Sequence, residues 1–143
     1  MGMWGADDPS CRKPLIWTDY DFEDESAHPL DMERPVDKVR FNDDLFAYYQ
    51  KVIKIRRQNP VLFLGKISFI NSTDKKLLAY SRYDNENEII TIINSGEETI
   101  EFKSSTRFST KYSDILNNTN ITQEGKNIRI NIEPKTAVLL KSN

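Results

Sequence analysis

Hydrophobic residues after Pro60 recur at every second position, and this periodicity constrains the fold more than any other feature of the sequence. In residues 127–132 (NIRINI), Ile128, Ile130 and Ile132 fall on one face of a strand and polar residues on the other. Turn-forming residues separate the runs of this kind, which predict strands at 66–70, 77–83, 88–94, 98–102, 107–112, 127–132 and 136–141. About seven or eight short antiparallel strands predict a mainly β chain with a β-sandwich.

Residues 42–58 have the pattern of an amphipathic helix. Asn42 can cap this helix, and Asp43 and Asp44 occupy a first turn in which the helix dipole favours negative charge. Asn59-Pro60 ends the helix, because a residue that precedes proline is driven out of the helical conformation. An apolar face whose partners are missing favours self-association, and this face comprises Leu45, Tyr48, Tyr49, Val52, Ile53 and Ile55.

Residues 1–41 have no sustained period and are rich in proline, aspartate and glutamate, so we expect a long loop. A structureless loop of about 40 residues is uncommon inside a compact domain, which indicates a functional loop of a larger fold. We expect the acidic run between Asp19 and Glu25 to be solvated. The sequence therefore divides into residues 1–59, with loop and helix, and residues 60–143, which form a β domain.

Charge and cysteine content exclude several classes of function. The net charge of −2 gives no reason to expect nucleic acid or an anionic membrane as partner. A single cysteine and a single histidine, Cys11 and His28, make neither a disulfide nor a structural zinc site. No apolar run approaches the ~18 residues of a membrane helix, and we recognise no signal peptide. The location therefore stays open, either cytoplasmic or, through a longer parent protein, periplasmic or secreted.

The first residues, GMWGADDPSCRKPLIW (2–17), contain a distinctive motif of Gly2, Gly5, Asp8, Pro9, Cys11 and Arg12. This motif resembles the loop after the last barrel strand in the α-amylase family of glycoside hydrolases, in its neopullulanase and cyclomaltodextrinase-like branch. Residues 56–65 (RRQNPVLFLG) resemble the junction between barrel helix and sandwich in that family. The resemblance implies that residues 1–59 are the last loop and helix of a truncated β/α barrel. Residues 60–143 are then the C-terminal antiparallel β-sandwich.

The same resemblance implies that both catalytic carboxylates lie upstream of Met1, so we expect no catalytic residue in this chain. It implies that Asp8 and Arg12 contact a sugar of an α-glucan or maltooligosaccharide in the intact parent, by accepting from and donating to its hydroxyl groups. The alternative is that Asp8 and Arg12 pair with each other and hold the shape of the loop. Trp4 can stack on a sugar face. We expect no cofactor and no metal.

Aromatic residues of the β domain admit two interpretations. Tyr80, Tyr83, Phe108 and Tyr112 could form a carbohydrate-binding face, but aromatic residues at strand spacing are more often core or cross-strand pairs. Two functions remain in competition. The first is a non-catalytic C-terminal fragment of a retaining, α-glucan-hydrolysing glycosidase. The second is a free-standing carbohydrate-binding or structural β-sandwich module.

Overall fold

The computed structural model of the chain describes residues 16–26, 28, 31–33 and 35–143. The chain forms two compact units, Met1–Lys51 and Val52–Asn143. Neither helix in the described part of the chain has the length and hydrophobicity of a membrane-spanning helix. The division of the sequence into a barrel remnant (1–59) and a sandwich domain (60–143) remains a prediction.

In the first unit, a small aromatic cluster forms around the start of the helix. The ring of Trp17 lies 6.4 Å from those of Phe41 and Phe46, which are themselves 5.2 Å apart. The Lys38 ammonium donates to the Asp24 carboxylate at 2.9 Å, and this ion pair lowers the pKa of that carboxyl. The loop prediction is confirmed over the described residues, where a single antiparallel bridge pairs residues 25 and 37.

The predicted helix is present as α1 (Asp43–Gln58). The Asn42 side chain accepts a hydrogen bond from the Leu45 backbone N–H at 2.9 Å, which confirms the expected cap. No side chain of α1 is buried. A second, one-turn helix α2 (Val61–Leu64) follows immediately, in the segment for which the sequence indicated only a junction.

Eight strands are found in the described residues, and they form two antiparallel sheets. The five-stranded sheet has the order β1-β2-β3-β8-β5, and the three-stranded sheet has the order β4-β7-β6. The strands are β1 (Lys66–Ile70), β2 (Leu77–Tyr83), β3 (Glu88–Asn94), β4 (Ile100–Ser105), β5 (Tyr112–Asp114), β6 (Thr122–Glu124), β7 (Asn127–Ile132) and β8 (Thr136–Ser142). The prediction of a mainly β chain with a β-sandwich is confirmed.

The hydrophobic core contains residues from the facing sides of both sheets. Strand β7 alternates as the sequence predicts, with Ile128, Ile130 and Ile132 buried and the residues between them exposed. The turn before β7 requires Gly125, whose φ of 58° is a conformation that other residues rarely adopt. Other buried members of the core include Leu77, Ala79, Ile90, Ile92, Phe102, Tyr112, Val138 and Leu140.

Two predicted strands have different boundaries in the structure, and one strand was not predicted. Residues 107–111 are not in a strand, because their backbone groups bond to side chains: the Arg107 N–H donates to the Glu88 carboxylate and the Phe108 N–H to the Tyr112 hydroxyl. The strand predicted at 98–102 instead covers Ile100–Ser105, paired with β7. Strand β6 was missed, since its three residues are too short to show a period.

Candidate functional site

The three predicted substrate-binding residues, Trp4, Asp8 and Arg12, lie outside the described residues. Trp17, at the end of the same segment, contacts Phe41 and Phe46 but remains 47% exposed. Within the described part of the chain, no group of three or more His, Cys, Asp or Glu residues is placed to hold a metal ion. The candidate site is therefore built from the buried carboxylates and exposed surfaces of the second unit.

Glu88 is a buried carboxylate at the first position of β3, with 4% of its surface exposed. Its Oε1 accepts from the Ser81 hydroxyl at 2.5 Å, and its Oε2 accepts from the Tyr112 hydroxyl at 2.6 Å and the Arg107 N–H at 2.8 Å. The Glu88 backbone N–H donates to the Ser142 hydroxyl at 2.9 Å. A buried carboxylate is stabilised by hydrogen bonds, and here side-chain and backbone donors of the second unit provide them. No pattern in the sequence indicated this role for Glu88.

Asp114 is the second buried carboxylate of the described residues. It accepts from the backbone N–H groups of Leu116, Asn117, Thr119 and Leu139 at 3.0–3.2 Å, and so fixes the turn that follows β5. Both buried carboxylates are thus engaged in holding backbone and core. Neither resembles a nucleophile or an acid directed toward a substrate cleft.

Burial, followed by the hydrogen bond to Glu88, raises the pKa of the Tyr112 phenol well above its usual value. A group whose pKa is raised by folding contributes stability that is present below its unfolded pKa, about 10 for tyrosine, and is lost as the pH rises further. We expect the chain to lose stability between about pH 9 and 11, and the Tyr112→Phe variant to lose less over that range. Urea unfolding at both pH values measures the difference, and equal losses would show that Tyr112 ionises alike in both states.

The outward side of the five-stranded sheet is unusually apolar. Strand register places β1, β2 and β3 residues side by side here, because Ile67 pairs with Arg82, Phe69 with Tyr80, and Leu78 with Ile93. We call this surface, which extends to Ile89 and Thr91, the outer face. Four of its apolar side chains are exposed by 36–68%: Ile67, Phe69, Leu78 and Ile93.

Helix α2 packs on β2 and β3 and covers part of the outer face. Val61 and Ile89 are both buried, yet neither belongs to the cluster between the sheets, so we infer that they contact on the other side of the sheet. Gly65 permits the close approach, since a Cβ there would lie 2.6 Å from the Val61 carbonyl oxygen and 2.9 Å from that of Tyr83. Arg82 also lies on this face, and its Nε is buried with no hydrogen-bond partner among the described residues.

The aromatic residues considered as a carbohydrate-binding face do not share one surface. Tyr112 is in the core, and Tyr80 lies on the outer face with its ring 6.2 Å from that of Phe69. Tyr83 faces the other way along β2, under the Arg107 guanidinium at 3.5 Å. The interpretation as core and cross-strand pairs accounts for Tyr112 and Tyr80, whereas Tyr83 stacks with an arginine.

Comparison with known proteins gives a consistent picture, although no family model matches the chain. A cyclomaltodextrinase from a Bacillus species is 32% identical over 96 residues, which are 66% of this chain and 14% of that protein. A cyclomaltodextrinase from Thermoanaerobacter pseudethanolicus is 25% identical over 141 residues, 99% of this chain and 20% of its own length. An α-amylase from Geobacillus thermoleovorans, solved with acarbose, superposes with a TM-score of 0.66 at 15% identity, over 82% of this chain and 27% of its own.

These similarities first define the second unit as an antiparallel sandwich of the type found in α-amylases. The sequence relatives are more specific, and they agree with the resemblance inferred from residues 2–17: the chain belongs to the α-amylase family of glycoside hydrolases and is similar to cyclomaltodextrinases. It spans only about a seventh to a fifth of the length of these curated relatives.

Proposed function

We propose that the chain is the C-terminal, non-catalytic part of a retaining glycosidase that hydrolyses α-glucans. Residues 1–59 complete the catalytic barrel with its last loop and helix, and residues 60–143 support that barrel. Asp8, Arg12 and Trp4 belong to the loop that binds an α-glucan or maltooligosaccharide. The relatives named above support this proposal, as do solved neighbours in complex with maltotriose, maltose and acarbose.

The apolar outer face is the main evidence that residues 60–143 support a catalytic barrel. A sheet that faces water on one side normally alternates hydrophobic and polar residues, whereas a sheet covered on both faces is apolar throughout. Strand β3 is of the second type, with Ile89, Ile90, Ile92 and Ile93 pointing to alternate sides. Exposed apolar side chains that lie together indicate an interaction surface. A free-standing module has no use for this surface, so the outer face favours the supporting role over that alternative.

The Nε of Arg82 on the outer face also requires a hydrogen-bond acceptor. A buried donor without a partner costs about 1–3 kcal/mol, and a docked domain that offers a carbonyl or carboxylate oxygen removes this cost once the Arg82 side chain turns toward that oxygen. The proposed contact is therefore apolar around Phe69 and Leu78, with one acceptor opposite Arg82. Self-association through the exposed stripe of α1 remains a separate prediction.

The proposal that this chain is not catalytic is based on the positions and partners of its carboxylates. A retaining glycosidase uses two carboxyl groups about 5 Å apart on either side of the scissile bond. Glu88 and Asp114 are buried and engaged by backbone and hydroxyl donors. The carboxylates that remain in the described residues lie on the surface or are half-buried, as expected of solvated or ion-paired groups.

A chimera tests the proposal. The chimera is the Bacillus cyclomaltodextrinase with its aligned segment replaced by the corresponding residues of this chain. We expect the chimera to hydrolyse maltotriose and the 143-residue chain alone to be inactive. The variant Phe69→Asp should lower the melting temperature of the chimera by about 5 °C or more, because a charge is then buried at the contact.

Two controls make this test specific. Phe69→Asp should destabilise the isolated chain less than the chimera, since Phe69 is 68% exposed there and loses mainly its contact with Tyr80. Asn131→Ser, on the exposed side of the other sheet, should affect neither protein. Equal effects of Phe69→Asp on chimera and isolated chain, or hydrolysis of maltotriose by the isolated chain, would refute the proposed function.

A further inference from the structure

The exposed side of the three-stranded sheet contains a groove of about 410 Å³. Strand register brings six outward-pointing side chains together there, because Lys103 and Thr122 both pair with Arg129, while Ser105 and Glu124 both pair with Asn127. The volume falls in the range of ligand-binding pockets, roughly 300–1,000 Å³. The groove lies on the opposite sheet from the outer face and contains no aromatic lining residue.

Only some of the polar groups in the groove have partners. Glu101, at its edge, accepts from Lys103 Nζ at 2.5 Å and pairs with Arg129 Nε at 3.4 Å. The Ser105 hydroxyl donates to the Asn127 side-chain oxygen at 3.0 Å. Among the described residues, four groups are left without a hydrogen-bond partner: the Thr122 hydroxyl, the Glu124 carboxylate, the Asn127 amide nitrogen and the terminal nitrogens of Arg129.

The charges of the groove decide which class of ligand fits it. Lys103 and Arg129 are balanced by Glu101 and Glu124, so the surface offers no net attraction to an anion or a cation. The free groups include donors and acceptors in close proximity. A sugar hydroxyl both donates and accepts, and a guanidinium can donate to two neighbouring hydroxyls from its planar fork. These features fit a neutral, hydroxyl-rich ligand.

We propose that this groove is a second, non-catalytic binding site for a neutral oligosaccharide. The choice of an α-glucan as its ligand rests on the proposed function, but the groove does not depend on the barrel. Binding relies on hydrogen bonds without aromatic stacking, so we expect a weak site with a Kd of about 1 mM. Arg129 and Glu124 determine the specificity, one as the main donor and the other as the main acceptor.

The test is an NMR titration of the ¹⁵N-labelled 143-residue chain with maltotetraose. We expect saturable shifts confined to backbone amides of β4, β6 and β7. Arg129→Ala should weaken binding about tenfold, and Glu124→Gln, which keeps the size of the side chain, should weaken it several-fold. Asn131→Ala is the matched control, because Asn131 lies two residues along β7 on the same side of the sheet but outside the groove.

Several results would overturn the proposal. They are the absence of saturable shifts up to about 50 mM maltotetraose, unchanged affinity in both groove variants, or shifts caused by sodium sulfate and not by the sugar. Its failure is distinguishable from failure of the proposed function. If the chimera is active and is destabilised by Phe69→Asp, but no sugar binds to the groove, only the proposal of a groove site is overturned. If sugar binds to the groove but the chimera is inactive, the groove site is supported and the alternative of a free-standing carbohydrate-binding module is favoured.

Discussion

Glu88→Ala is expected to lower the free energy of unfolding by about 3 kcal/mol or more. The substitution leaves the Ser81 hydroxyl, the Tyr112 hydroxyl and the Arg107 N–H without their acceptor inside the protein, and each buried unpaired donor costs about 1–3 kcal/mol. It also removes the contact that holds the irregular segment after β4 against β3. Urea unfolding and thermal melting measure the effect, which corresponds to roughly 10 °C in Tm.

Glu86→Ala is the matched control for this prediction. Glu86 lies two residues earlier, in the exposed turn before β3. Its backbone N–H donates to Asp84, and its side chain has no hydrogen-bond partner among the described residues. We expect a change within about 0.5 kcal/mol. If Glu88→Ala does not fold, Glu88→Gln provides the measurement, because it keeps the shape but places an NH₂ group against a donor. A Glu88→Gln variant as stable as the original chain would show that the cluster contributes little.

The structure of a segment is predicted well from its sequence where one face is buried and the other faces water. Residues 127–132 alternate strictly because Ile128, Ile130 and Ile132 face the core and their neighbours face water. The start of α1 was equally predictable, since Asn42 and two aspartates provide a local cap and favourable charge. The helix cap depends on contacts within a few residues, and the alternation in β7 depends only on one face being buried and the other exposed.

Strand β3 lies where the sequence predicts it, but the burial of both its faces was not predicted. Its run of isoleucines is nearly continuous, and five consecutive residues from Glu88 to Ile92 are buried. Such a run is the sequence signal for a strand covered on both faces, and it could have indicated the outer face. Helix α2, which covers part of that face, is too short to show a helical period.

Contacts distant in sequence explain most of the remaining errors. The segment 107–111 has a strand-like composition, yet its backbone is held by Glu88 and Tyr112. The groove likewise combines residues from β4, β6 and β7 that become neighbours only through strand register. Of the candidate substrate-binding residues, Asp8, Arg12 and Trp4 were indicated by the resemblance of residues 2–17 alone and remain untested.

In the whole enzyme or an active chimera that includes residues 1–59, we expect Arg12→Ala to lower kcat/KM on long maltooligosaccharides by about ten- to a hundredfold. The proposed role of Arg12 is to donate hydrogen bonds to a sugar away from the scissile bond, and a hydrogen bond to a charged group is worth roughly 1.5–3 kcal/mol. Remote contacts of this kind also position the substrate, so kcat should fall as well as affinity. A short aryl glucoside that does not reach the subsite should be hardly affected.

Arg12→Lys separates the two roles considered for the Asp8–Arg12 pair. A lysine retains the positive charge but cannot reproduce the planar fork, so a sugar-binding role predicts only partial recovery on long substrates. Asp8→Asn should then reduce activity on the same long substrates, because it removes an acceptor for sugar hydroxyls. If Arg12→Ala instead lowers kcat/KM equally on long and short substrates and also lowers the melting temperature, the pair holds the shape of the loop. Steady-state kinetics on both substrates, together with melting curves for each variant, therefore distinguish sugar binding from structural support.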